Sequence, residues 1–374
     1  MNAKKLKVLH ILYEIKFSGA EVMLNLASDY LQKKGISLYA LNTSNKLGDY
    51  ADVMQKSGYQ IFHIPISNRL KFIIHFYSFL KKEKFDVVHI HPEKYKLLIA
   101  LIAKLASVGI ITTTVHSVFG GLFKGAKLRN FKIKRWIARN ILGVTFIAIS
   151  PSVKEIEEEI LSNPTELVPN WTDETKFFPA KSEEEKQMLR KELGIHENSL
   201  VIISVGSCIP IKNQKDIITC THQLISKNYN IIYLLVGDGP LRQSYEEYAK
   251  QLGIEQYVRF VGQSNKVRDL LIASDVFVMT SKYEGLGNSL LEALYCGLPA
   301  IVYNVYGLRD LVEDSKNGFV IETNPDMLAD KLEILYNNEI LRKQFGANGY
   351  EYVKKEYNMK TSLDKMIQVY EGKK

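Results

Sequence analysis

Glu284 and Glu292 bracket Gly285 and Gly287 in the run SKYEGLGNSLLEALYCGLPAIVY, Ser281 to Tyr303. The glycines allow a sharp turn and a close backbone approach to a ligand. Asn288 or Ser289 is placed to cap a helix that Gly297 and Pro299 end, so the helix spans about Asn288 to Cys296. The backbone N–H groups from Gly285 through Leu286 to Asn288, with the positive end of the helix dipole, form a phosphate site. DVFVMTS, Asp275 to Ser281, reads as a buried parallel strand, which sets the turn at a strand's C-terminal edge, where open α/β sheets bind ligands. In one continuous helix the two glutamates would stand roughly 12 Å apart, too far for an acid/base pair. With Glu284 in the loop and Glu292 on the second turn, each can instead accept hydrogen bonds from different hydroxyls of one extended ligand. The same glutamates would also serve as solvated, helix-stabilising charge.

Three further loops follow apolar runs. In FSGAE, Phe17 to Glu21, Gly19 gives a tight turn and a helix begins at Ala20, which makes a second candidate anion site. The G-x-G-x-x-G dinucleotide fingerprint is absent there. In VGSCIPIKN, Val205 to Asn213, Lys212 lies at the start of a helix, where it could neutralise a diphosphate or remain a surface lysine. VGDGP, Val236 to Pro240, reads either as a phosphate loop or as a plain connection. His116 ends the run IITTTVH at a strand edge, a position open to a catalytic or a structural role. No Asp-x-Asp pair occurs in the chain, so Lys212 and helix dipoles must replace a metal if a nucleotide diphosphate departs here. No metal and no cofactor is expected.

These loops need a scaffold of strands. Apolar runs at Leu6–Leu12, Ser37–Leu41, Gln60–Ile64, Asp86–Ile90, Ile110–Val115, Val144–Ile149 and Glu166–Val168 alternate with helical segments, the clearest at Ala20–Lys34 before Gly35. A second series follows at Leu200–Val205, Asn230–Val236, Val258–Val261, Val276–Thr280, Ala300–Tyr303 and Phe319–Ile321. Between them, the charged segment from Thr172 to Ser199 has no strand pattern. A length of 374 residues exceeds what one core usually serves, so an N-terminal domain over 1–172 and a C-terminal domain over 173–374 are expected, the last helices packing back on the first. Both are α/β and doubly wound, facing across a cleft.

The three cysteines are too few and scattered for a disulfide framework or zinc site, which points to a reducing cytoplasm. The longest apolar run, Leu97 to Ile111, is interrupted by Lys104 and Ser107 and falls short of the roughly 20 residues a membrane span needs. The N-terminus reads as a strand, not a signal peptide. The net charge of +8 is local: eleven Lys and Arg and no acidic residue lie between Lys94 and Lys154, leaving the rest of the chain at −3. Its densest part, Phe119 to Asn140, interleaves Lys124, Lys127, Arg129, Lys132, Lys134, Arg135 and Arg139 with Phe123, Phe131 and Trp136. Such a mixture suits an anionic membrane surface, a phosphorylated lipid or nucleic acid, the alternative being a merely solvated basic helix.

Taken together, these blocks resemble a retaining glycosyltransferase of family four, with the GT-B fold. The likeness covers SGAE and the helix ending in KKG, DVVHIH at Asp86–His91, TVH at His116, AISPSVKE at Ala148–Glu155, LVPNWTD at Leu167–Asp173, VGS with the later KN, LLVGDGP, and EGLGNSLLEAL with its E-x7-E spacing. It implies that Glu292 holds the nucleotide ribose, Lys212 the diphosphate, and that Glu284 and His116 contact the donor sugar, His116 near the reacting centre. Two positions depart from the family pattern: Ser207 stands where an Arg is common, and Ser18 precedes Gly19 where two glycines are common. Arg268 is a candidate replacement for the missing Arg.

The resemblance implies transfer of a sugar from a nucleotide diphosphate sugar, UDP favoured, to a hydroxyl of a lipid-linked glycan in surface polysaccharide synthesis. The basic stretch would meet the acceptor or the inner membrane face. A nucleotide-sugar 2-epimerase of the same fold is the alternative. A basic nucleic-acid-binding protein is an alternative from another class, disfavoured by the acidic balance elsewhere and the lack of a recognised binding module, and an NAD-dependent oxidoreductase is weaker still, lacking the glycine fingerprint.

Overall fold

The computed structural model describes residues 5–118 and 123–373, so the first four residues of the basic stretch, 119–122, lie outside the described residues. In chain order the elements are β1 (Leu6–Leu12), α1 (Gly19–Lys33), β2 (Ile36–Asn42), α2 (Ala51–Lys56), β3 (Gln60–His63), α3 (Arg69–Glu83), β4 (Val87–Ile90), α4 (Lys96–Leu105), β5 (Ile110–Val115), α5 (Gly125–Trp136), β6 (Val144–Ala148), α6 (Pro151–Glu155) and β7 (Glu166–Leu167). Then follow α7 (Glu183–Glu192), β8 (Leu200–Val205), α8 (Lys215–Ser226), β9 (Ile231–Val236), α9 (Arg242–Gln251), β10 (Val258–Gly262), α10 (Val267–Ile272), β11 (Val276–Met279), α11 (Asn288–Tyr295), β12 (Ala300–Tyr303), β13 (Gly318–Ile321), α12 (Pro325–Asn337), α13 (Glu339–Glu356) and α14 (Met359–Tyr370). α5 and α6 each run on into a π-helical turn, Ile137–Ile141 and Ile156–Ile160.

The strands form two all-parallel sheets, ordered β3-β2-β1-β4-β5-β6-β7 and β10-β9-β8-β11-β12-β13. Near-continuous apolar strands such as LVIISV in β8 are what sheets covered on both faces require. In each sheet the strand order reverses once, between β1 and β4 and between β8 and β11. Loops leaving those strands diverge and open a crevice at their C-terminal ends. Every loop singled out in the sequence for chemistry leaves one of these four strands or their immediate neighbours.

The chain divides into two compact units, Met1–Trp171 with Met359–Lys374, and Thr172–Asn358. In the first, α14 is part of the core: Leu363, Met366, Val369 and Tyr370 pack with Leu24, Leu38 and Val87. The second encloses Ile202, Ile217, Tyr233, Val278, Ile301, Leu328 and Leu332. Among the described residues, no helix is long and apolar enough to cross a membrane.

Candidate active site

In the second unit the loops after β8 and β11 are stitched together by backbone. Lys282 donates its N–H to Ile211 O at 2.8 Å, and Thr280 Oγ1 donates to Asn213 O at 2.9 Å. This fixes Lys212 beside Glu284, with Nζ to Oε1 at 2.6 Å and both side chains about one-fifth exposed or less (22% and 15%). Lys212 lies three residues before α8, in the loop and not on the helix as the sequence suggested. The VGDGP turn props this loop from behind. A Cβ at Gly237, whose φ is +138°, would stand 2.1 Å from Gly206 O, so only glycine lets the two turns touch.

Helix α11 begins one residue after a left-handed Gly287, φ +84°, which itself occupies the cap position. Neither expected side chain caps it: Gly287 takes the place, and Ser289 Oγ donates instead to Val205 O at 2.8 Å, pinning the helix start to the end of β8. The first turn of α11 carries no acidic residue. Glu292 is half-buried, and no hydrogen bond reaches its carboxylate among the described residues. Burial pushes that carboxyl up to about 7, only partly opposed by the Lys176 charge. Gly285, Leu286, Gly287 and Asn288 make a glycine turn that leads into α11, with the Lys212–Glu284 pair at Glu284 on its N-terminal side and Glu292 on the helix. Ser207 is exposed at the turn after β8. Arg268 is no substitute for the missing arginine: it pairs with Glu185 at 2.7 Å and stacks on Phe178.

In the first unit the corresponding loops carry histidines. Parallel pairing sets His10 of β1 beside His89 of β4, and His91 N–H donates to Ile11 O at the strand ends. His89 and His91 share a face because side chains alternate along a strand, and β5 delivers Thr114 and His116 to the same edge. His10 Nδ1 lies 3.1 Å from His91 Nε2, and His91 Nδ1 lies 3.2 Å from His116 Nε2. His89 spends both ring nitrogens, on Tyr370 Oη of α14 and Thr114 Oγ1, each at 2.7 Å. Nitrogens of His10, His89 and His91 gather within 4.8 Å of one another; both nitrogens of His89 and of His91 are engaged in this network, and His10 Nε2 has no partner among the described residues. Burial pushes His116 down to about 4, with Lys96 adding to the effect and Glu93 opposing it. His116 borders a small pocket with Ala20, Met23, Asn170, Trp171 and Met366. Sequence reasoning gave His10, His91 and Tyr370 no role, although the alternation in HIH was a readable signal that two histidines share one face.

Gly19 opens α1, as the first loop predicted, but the helix start is not left bare. Glu21 stands in the first turn, buried, and accepts a hydrogen bond from the Ser18 hydroxyl. The basic stretch is also more mixed than its composition suggested. Lys124, Lys127, Arg129, Lys134 and Trp136 are exposed and Lys132 is half-buried. Arg135 is the correction, being only 4% exposed. It binds Glu157 at 2.9 Å and Glu93 at 2.8 Å, and lies over the Phe131 and Phe146 rings. A guanidinium so enclosed cannot meet a membrane or acceptor. Its position follows from the apolar face of α5 and its continuation, Leu128, Phe131, Ala138 and Leu142, on which Arg135 falls by helical spacing.

Residues 185–352 match the family model described as glycosyl transferases group 1, and residues 17–176 match that of glycosyltransferase family 4. The chain is 30% identical over 337 residues to the UDP-Gal:alpha-D-GlcNAc-diphosphoundecaprenol alpha-1,3-galactosyltransferase of Escherichia coli, covering 86% of this chain and 85% of that one. It is 28% identical over 298 residues to the N-acetyl-alpha-D-glucosaminyl L-malate synthase of Bacillus anthracis, covering 78% and 74%. In fold it is similar to Anabaena HepE in complex with UDP, with a TM-score of 0.82 at 19% identity over 98% of this chain and 100% of that one. The epimerase alternative finds no support in these likenesses. Two Rossmann-like units, the glycine turn at α11 and matches spanning both units make the chain a member of glycosyltransferase family 4, a glycosyltransferase of the GT-B fold.

Proposed function

We propose that the enzyme takes a sugar from a nucleotide diphosphate sugar, with UDP the favoured nucleotide, and delivers it to a hydroxyl of a lipid-linked glycan with retention of configuration and without a metal. The observation that carries this reading is Glu292, half-buried and without a hydrogen-bond donor among the described residues, one turn into a helix whose start is free of acids, with Lys212 held at Glu284 in the loop before that helix. A ribose supplies the hydroxyl donors that Glu292 lacks. A diphosphate suits the loop amides of Gly285 to Asn288, the helix dipole and the Lys212 ammonium. Glu284, freed from Lys212 when the ammonium turns to phosphate, accepts from hydroxyls of the donor sugar, and His116 serves the same sugar near the reacting carbon.

In the reaction the bond from the anomeric carbon to the phosphate oxygen breaks and the bond to the acceptor oxygen forms on the same face. The acceptor proton passes to the departing phosphate. Lys212 and the dipole stabilise the charge that develops on that phosphate, the task a cation performs elsewhere. No side chain is assigned as a nucleophile.

The lipid-linked acceptor is supported by the name of the Escherichia coli relative, which acts on a diphosphoundecaprenol, and by a surface on the first unit. Leu70 and Ile74 of α3, Leu101 and Leu105 of α4, and Ile133 and Trp136 of α5 are exposed among the lysines. Apolar groups beside cations suit an anionic bilayer at the inner membrane face. A thermal-shift screen tests the donor: UDP should raise the unfolding midpoint more than GDP or ADP, since a ligand that binds only the folded state stabilises it. No shift with any of the three would sink the reading. Sedimentation with anionic vesicles tests the surface, which should lose binding in the K132E/K134E double variant.

A further inference from the structure

We propose that His91 and His10 are positioning residues that hold His116 as its neutral Nδ1–H tautomer, so that His116 offers a proton to a hydroxyl of the sugar; this rests on the reading of His116 given above. The three rings form an edge-to-edge chain, with centroids 5.4 Å apart for His10 and His91 and 5.5 Å for His91 and His116, and interplanar angles of 27° at both steps. Each contact joins one nitrogen to one nitrogen, so each needs one proton. Burial holds all three imidazoles neutral near pH 7: His10 is pushed down to about 3, His116 to about 4, and His91 well below its ordinary value. Around the exposed end the charged groups are Lys96 and Glu93, which bind each other at 2.7 Å.

A chain of neutral rings carries one proton per ring, which leaves only two self-consistent arrangements. In one, His116 Nε2–H donates to His91 and His91 to His10, which strands a proton on His10 Nε2. In the other, His10 Nδ1–H donates to His91 Nε2 and His91 Nδ1–H donates to His116 Nε2, leaving His116 with its proton on Nδ1. His10 is wholly buried, and its Nε2 has no hydrogen-bond partner among the described residues. A buried N–H without an acceptor is the rarer and costlier orphan, compared with an unsatisfied lone pair. The closed end of the chain therefore sets the proton at the open end, where His116 borders its pocket. His89 lies stacked on His91, centroids 4.2 Å apart, and its bonds to Tyr370 and Thr114 hold that stack still.

Long-range ¹H–¹⁵N correlation on the full-length protein labelled with ¹⁵N-histidine reads the tautomers directly. His116 is picked out of the eight histidines by the signal lost in His116→Gln. The expected pattern is a proton-bearing Nδ1 and a bare Nε2 in the native protein. His91→Asn should keep that pattern, because its amide nitrogen replaces the ring Nδ1–H as donor to His116. His91→Phe should lose it, with the Nε2–H form appearing. A native spectrum with the His116 proton on Nε2 would overturn the proposal even if neither His91 variant folds, and so would an unchanged pattern in a folded His91→Phe. Should the tautomer be as stated while His116→Ala leaves turnover intact, the relay stands and the catalytic role of His116 falls.

Discussion

Helices α1 and α11 each open from a glycine turn after one of the two strands that flank a sheet's reversal point, β1 in one unit and β11 in the other, yet their first turns differ in charge. Glu21 stands inside the start of α1 and accepts a hydrogen bond from the Ser18 hydroxyl. The first turn of α11 has no acid, and Glu284 and Glu292 stand to either side of it in sequence. A helix N-terminus compensated by its own carboxylate has little left for a ligand. On the proposed reading the donor's phosphates therefore lie at the start of α11 and not at the start of α1. The lysine–glutamate pairs of the two units differ in the same sense. Lys96 and Glu93 are tied into the Arg135–Glu157 cluster and hold structure together, whereas Lys212 and Glu284 form an isolated pair at the turn before α11.

The largest effect expected from this contrast lies in the first unit. Arg135→Ala strands Glu157, which is 2% exposed, without its cation, and an unpaired buried charge costs about 3–5 kcal/mol. Chemical denaturation should show that loss, and a midpoint close to native would mean that the cluster is not structural. Lys212→Ala should do the reverse, leaving stability nearly unchanged because the pair is partly solvated, and lowering turnover roughly 10²–10³-fold by loss of one preorganised donor.

A smaller effect concerns pH. The Glu292 carboxyl rises from its ordinary 4.5 to about 7, burial being the main cause. A raised folded-state value means that the ligand-free protein gives up stability as pH climbs from 4.5 through 7. Nucleotide binding needs the ionised form as acceptor and has the opposite slope. UDP affinity should fall as pH drops below 7, approaching tenfold per unit, and Glu292→Gln should flatten both trends. The smallest effect expected is at α1: Glu21→Gln should leave UDP affinity within about fivefold, since typical helix-end charge effects are about 0.3–1 kcal/mol even where the charge is close.

Much of this was legible before any coordinates. The strands announce themselves because parallel sheets demand uninterrupted apolar runs, and the glycines at Gly285 and Gly287 mark a turn that other residues resist. The histidine relay was not legible, because His10, His91 and His116 meet only through the order β1-β4-β5, which the chain does not state. Arg135 was misplaced for a related reason: within its basic run it resembles its neighbours, and its partners Glu93 and Glu157 lie outside the run. The cap of α11 was misread because a left-handed glycine turn fills the position that Asn288 or Ser289 would have taken.

The division of labour between the units is tested most directly by calorimetric titration of UDP into the native protein, Glu292→Ala and His116→Ala. Glu292→Ala should weaken UDP at least tenfold, while His116→Ala, which concerns the sugar and not the nucleotide, should leave its affinity within about twofold, since tenfold in affinity corresponds to about 1.4 kcal/mol. Unchanged affinity in Glu292→Ala, or an equal loss in both variants, would contradict the assignment of the nucleotide to the start of α11.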